Sequence, residues 1–130
     1  MPVTSRRRVS SGSPYEARYG YSRAIAVGDS CWVAGTTDVG PDGMSLHPDD
    51  AAAQARAAFG IAIRALGEAG FTIEDVVRTR MYVVRAADAT AVAEVNGELF
   101  GEVRPASTLV TVAGLIEPSV LVEVELEAHR

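Results

Sequence analysis

Polar and apolar positions alternate most strictly near the C-terminus, where Val120, Val122, Val124 and Leu126 fall on one side of an extended segment and Glu123, Glu125 and Glu127 on the other. Such a segment is a strand with one face in a core. Its acidic face must meet water or cations, because carboxylates two residues apart lie ~7 Å from one another and repel by about 2.4 kcal/mol at an effective dielectric of 20. Residues 104–112 form a second short strand just upstream. Earlier, 21–27 and 31–35 read as a hairpin turning at Gly28, Asp29 and Ser30, and Gly40-Pro41-Asp42-Gly43 marks a further turn, with 44–46 as a short third strand. Asp49 or Asp50 caps a helix running to Ala69, whose Ala52, Ala55, Phe59, Ala62, Ile63 and Leu66 recur at helical spacing and whose stop is Gly70. An alanine-rich stripe packs closely on something flat, so this helix is expected on a sheet.

Residues 76–84 are rich in Val, Tyr, Thr and Met and predict a long strand, with Arg78, Arg80 and Tyr82 on one face and Val77, Thr79, Met81 and Val83 on the other. Residues 88–100 predict a second helix, apolar at Val92, Val95, Leu99 and Phe100 and ended by Gly101. Trp32 is expected in the core. The element order implies an α+β domain with a mixed sheet and both helices on one face. The uncovered face then carries Arg78, Arg80, Tyr82 and the glutamate series, which suits a symmetric oligomer with ion pairs and water inside.

Composition narrows the picture. The 130 residues, 48% of them hydrophobic, make one domain. We expect residues 1–14 to be a flexible N-terminal arm, since Arg6-Arg7-Arg8 is followed by a turn-rich stretch, and 15–130 to be the single domain. The 12 basic and 17 acidic residues leave a net charge of −5, which argues against a nucleic-acid partner. A single cysteine, Cys31, excludes an internal disulfide and reads as a buried structural thiol. His47 and His129 stand apart from any ligand cluster, so no metal is expected. With no secretory h-region or long apolar span, a cytoplasmic protein away from membranes is expected. No Ser-His-acid motif or glycine-rich phosphate loop is present.

Tyr21-Ser22-Arg23-Ala24, Gly28-Asp29, Val33-Ala34-Gly35, Glu74-Asp75-Val76-Val77, Val95-Asn96, Phe100-Gly101, Arg104-Pro105-Ala106 and Val122-Glu123-Val124-Glu125 together resemble the YjgF/YER057c/UK114 family, also called RidA or L-PSP endoribonucleases. The resemblance implies a chorismate-mutase-like fold, a homotrimer whose sheets form a central β-barrel, and small-molecule clefts between neighbouring copies. It also implies cofactor-free hydrolysis of enamines or imines to keto acids and ammonia, an arginine gripping the substrate carboxylate and a glutamate with backbone carbonyls positioning the attacking water.

By this resemblance Tyr21, Asn96 and Glu123 are the catalytic candidates, and Ser107, Thr108, Ala34, Gly35 and Leu109 line the substrate site. Three positions depart from the deaminase pattern: Ser107 stands for the arginine, Ala34 for a serine and Leu109 for a cysteine. A hydrogen bond to a charged group contributes ~1.5–3 kcal/mol, so loss of a two-pronged grip weakens carboxylate binding by about a hundredfold or more. Two readings therefore stand: hydrolytic deaminase-type chemistry on a substrate other than the standard 2-aminoacrylate, or a non-catalytic small-ligand-binding protein of the same fold. Arg80 is a candidate replacement cation, with an ion pair to the barrel carboxylates as the alternative. Ribonuclease activity follows the family label only.

Overall fold

The computed structural model describes residues 5–130. Six strands form one sheet in the order β1-β2-β3-β6-β4-β5: β1 is Arg6–Val9, β2 Ala24–Val27, β3 Ser30–Thr36, β4 Val76–Val83, β5 Ala106–Thr111 and β6 Val122–His129. The β4/β5 pair is parallel and the other pairs are antiparallel. Helices α1 (Pro14–Tyr19), α2 (Ala51–Glu68) and α3 (Ala89–Phe100) complete the α+β domain, with α3 forming the crossover between the two parallel strands.

Local chemistry explains most of these boundaries. The β2/β3 hairpin turns at Gly28 and Asp29, with Gly28 at φ 58, a conformation that costs glycine nothing. Asp50 caps α2, its carboxylate accepting from the Ala53 N–H at 3.0 Å. The α2 stripe of Ala55, Ala58, Ala62 and Ala65 is buried beside Phe59 and Leu66. Small side chains let the helix lie close to the sheet, where it meets Val122, Val124 and Leu126 of β6 in one continuous core. Phe59 and Phe100 join α2 to α3 edge-to-face at 5.3 Å. Gln54, wholly buried, ties α2 to two loops: its amide donates to His47 O at 3.1 Å and Ser119 O at 3.0 Å and accepts from the Leu121 N–H at 2.7 Å.

Several expectations need correction. The tri-arginine segment belongs not to a flexible arm but to β1, paired with β2 from Arg6↔Val27 to Val9↔Ala24, and Pro14 already opens α1. Backbone hydrogen bonds and buried Val9 hold this edge strand while the arginines stay exposed, and charge on an edge opposes pairing with other chains. The part of the expected arm at 1–4 lies outside the described residues. Segment 44–46 makes only a single bridge, Val39↔Ser45, because the loop is organised instead by buried Asp38, which accepts from Ser45 Oγ at 2.8 Å and lies 3.1 Å from His47 Nδ1. Val77 is 47% exposed, since an irregularity between Val76 and Arg78 turns Val76 into the core in its place. Trp32 is 44% exposed: it faces away from α2 and α3, between buried Cys31 and Val33. Two helices do cover one face, but α1 is a third, bordering the opposite face in a groove shared with Ile25 and Trp32.

That opposite face is polar, as the alternation requires. Arg80 pairs with Glu127 at 2.9 Å, Tyr82 donates a short hydrogen bond to Glu125, and Arg78 donates to Thr108 at 2.9 Å. Arg80 therefore has its carboxylate partner already.

Candidate active site

Strand β3 supplies the frame of the site. Val33 pairs with Leu126 and Thr36 with Val124, so three steps along β3 match two along β6, and the bulge falls on Ala34 and Gly35. The Glu123 carboxylate lies directly on Gly35. A Cβ added there would overlap Glu123 Oε2 and come 3.0 Å from its Cδ, so only glycine leaves this space. Arg23 secures the bulge, its Nη1 donating to Gly35 O at 2.6 Å and Thr36 Oγ1 at 2.9 Å, while Thr36 Oγ1 donates to Ala34 O at 2.7 Å. Burial pushes the Glu123 carboxyl above the usual carboxylate range, the charge of Glu125 adds to the shift, and Arg23 opposes it without cancelling it. A carboxyl held in this way retains its proton to higher pH and can exchange it with a bound water or substrate.

Tyr21 stands beside this frame, 39% exposed, with the Arg23 guanidinium 5.6 Å from its ring centroid. Tyr21 and Ala34 line an open groove of about 600 Å³ together with Glu16, Ile25, Trp32 and Glu125. Glu16 opposes burial with hydrogen bonds from Ser11 and Ser10 and with the charge of Arg23, and its carboxyl is held below its ordinary range. Tyr21, Ala34, Gly35 and Glu123 thus form one cluster.

Asn96 and Ser107 form another, joined through buried Thr79. The Thr79 hydroxyl is 2.9 Å from Asn96 Oδ1 and 2.8 Å from Ser107 Oγ. It has one proton, and Asn96 Oδ1 can only accept; Thr79 therefore donates to Asn96 and accepts from Ser107. The Ser107 hydroxyl proton is committed inward, leaving only lone pairs on its outer side. Such an oxygen welcomes an N–H donor and repels a carboxylate. Leu109 shares this face and packs against the core, whereas Thr108 points to the opposite face, where it meets Arg78. The two adjacent hydroxyls, Ser107 and Thr108, are therefore separated by the strand itself.

Within one chain the clusters do not meet. Glu123 pairs with Tyr82 and Ser107 with Thr79, three residues away on the intervening strand, about 10 Å along its length, and the side chains lie on opposite faces. Among the described residues no group of three His, Cys, Asp or Glu side chains is placed to hold a metal. Cys31 is buried, with its thiol pushed up by burial, as expected of a structural cysteine. The residue of this cluster that sequence reasoning missed is Arg23: it stands inside the Tyr21-Ser22-Arg23-Ala24 motif, but nothing in the spacing reveals that it reaches across to the β3 bulge.

The family profile described as endoribonuclease L-PSP matches residues 12–130. The chain belongs to this family. A crystal structure of Rv2704 from Mycobacterium tuberculosis, described as a member of the YjgF/YER057c/UK114 family, is 46% identical and superposes with a TM-score of 0.87 over 97% of this chain and 100% of that one. An uncharacterized protein of Streptomyces coelicolor is 47% identical over 95% of this chain and 92% of its own length. The 3-aminoacrylate deaminase RutC of Acinetobacter baylyi is 32% identical over 84% of this chain and 86% of its own length. Membership in the L-PSP family accounts for the α+β architecture.

Gly35→Ala is expected to fold and to displace Glu123 from its seat, because the obstructing atoms belong to the end of a flexible side chain. Carboxyl ¹³C NMR titration would then show Glu123 returning toward the ordinary carboxylate range. An unchanged titration would mean that the glycine does not hold the carboxyl in place.

Proposed function

We propose that this L-PSP-family chain works as a RidA-like homotrimer with a central β-barrel and a small-molecule site between neighbouring copies, performing hydrolytic enamine or imine deaminase-type chemistry without a cofactor. The observation that carries the reading is the Glu123 carboxyl, seated on Gly35 with its proton affinity raised. Glu123 accepts a proton from water as the oxygen attacks the imine carbon and delivers it to nitrogen; the hydroxyl of the resulting carbinolamine then gives its proton to the same nitrogen as the C–N bond breaks, leaving a carbonyl and ammonia. Tyr21 flanks the site and the bulge carbonyls orient the water. The split of candidates into two clusters on opposite faces supports a shared site, since a neighbouring copy can bring Ser107 and Asn96 to a cleft holding Tyr21 and Glu123. Exposed Trp32, Val77 and Val110 support burial against another copy. The similarity to RutC supports deaminase-type chemistry on a small substrate.

A second reading, a ligand-binding protein of the same fold that does not catalyse, is favoured by Ser107, whose oxygen cannot grip a carboxylate as a guanidinium does. The two separate in one assay: 2-aminoacrylate or 3-aminoacrylate is generated in situ and carbonyl product is followed. Acceleration over buffer, lost in Glu123→Gln, is the expected result; rates equal to buffer with both substrates would favour the binding protein. Light scattering at micromolar concentration is expected to return three times the 13.7 kDa mass of one chain. A monomer mass would contradict both readings.

A further inference from the structure

Position 107 carries no cation, yet the opposite cluster contains a guanidinium that no family motif assigns to the ligand. Arg23 and Glu123 touch the same glycine at different atoms: Arg23 Nη1 holds the Gly35 carbonyl oxygen at 2.6 Å, and the Glu123 carboxylate occupies the space of the missing Cβ. Nη1 is committed to the β3 bulge. Nε and Nη2 have no hydrogen-bond acceptor among the described residues, and neither is sealed from solvent without a partner, in contrast to Arg78 Nε. Two anchors on Nη1 and the Tyr21 ring at 5.6 Å fix the plane of the guanidinium, so its remaining N–H edge is preorganised for a planar anion.

We propose that Arg23 is the specificity residue of this site: its free N–H edge binds the carboxylate of a small monocarboxylic ligand beside Glu123, in place of the arginine absent at position 107. This rests on the cleft proposed above. The anion subsite has moved from the β5 strand to the segment preceding β2, so the ligand lies with its acid group toward Tyr21 and its reacting carbon toward the Glu123 water.

The test compares pyruvate with its neutral counterpart pyruvamide by ligand-observed NMR on the full-length chain. Wild type is expected to prefer the carboxylate, with the preference falling as salt rises. Arg23→Met is expected to lose about tenfold or more in pyruvate affinity with pyruvamide little changed; Arg56→Met, at an exposed pair with Glu98, is expected to change neither. Should Arg23→Met fail to fold, Arg23→Lys decides, since one charge without the fork must leave a weaker but still salt-sensitive preference. Equal binding of pyruvate by wild type and Arg23→Met, or a wild type without preference for the acid, overturns the proposal while leaving the shared cleft intact. A wild type that binds neither probe and sediments as a monomer overturns the cleft itself, and this proposal with it.

Discussion

Glu123→Gln is expected to reduce turnover of an enamine substrate by about 10²–10⁴-fold, the range a positioned acid–base group contributes, while making the folded chain more stable at neutral pH. Both effects have one cause. Burial and the Glu125 charge raise the folded-state affinity of Glu123 for its proton above that of the unfolded chain. At pH below both values the residue is protonated in both states and costs nothing. As pH rises from the ordinary carboxylate range through the raised folded value, the unfolded chain loses its proton first, and stability is lost. Glutamine removes that loss. The melting temperature of the variant should exceed that of wild type at neutral pH, and the difference should shrink to nothing in acid. Thermal denaturation at several pH values, at fixed chain concentration because assembly contributes to stability, checks this. A variant less stable than wild type at neutral pH would mean that ionised Glu123 has a favourable partner that outweighs burial.

The largest loss of stability is expected from Gln54→Leu. Leucine matches the volume but not the chemistry: it strands the His47 and Ser119 carbonyls and the Leu121 N–H, which Gln54 now satisfies at 3.1, 3.0 and 2.7 Å. A buried polar group left without a partner costs about 1–3 kcal/mol, so a total near 3 kcal/mol or more is expected. Urea unfolding should show a lower midpoint at an unchanged slope. The carbonyls belong to the loops that precede α2 and β6, so the damage should reach the Asp38–His47 loop before the distant β1/β2 pair. Hydrogen exchange would show this order, and uniform loosening would indicate that the three segments unfold as one unit.

Much of the architecture was legible because it depends on neighbours in the chain. The Gly28-Asp29 turn, the Asp50 cap and the alternation of Val122, Glu123, Val124 and Glu125 each state a local preference that tertiary packing did not override. The missed elements lacked such a signal. Arg6–Val9 has a single buried apolar side chain, and its strand exists because β2 offers an open backbone edge. Residue type alone places Trp32 in the core, yet position along β3 sends it to the open face. Val77 kept the right alternation on paper and lost it to an irregularity in strand pairing that no residue type announces.

The candidate site divides along the same line. Tyr21, Ala34, Gly35 and Glu123 were legible as motif residues, and the fold gathers them. Asn96 and Ser107 were legible too, but their connection through Thr79 was not, because residues 79, 96 and 107 become neighbours only when α3 carries the chain from β4 to β5.

The sequence by itself determined periodicity, turns and caps, which are properties of side chains a few residues apart, and the set of motifs from Tyr21 to Glu125 that marks the family. Tertiary structure alone decided that β6 lies between β3 and β4, that a bulge places Gly35 under Glu123, and that Arg23 reaches it. Those contacts join segments 12 to 99 residues apart. Their energies depend on distances of a few ångströms, which exist only after the chain has folded.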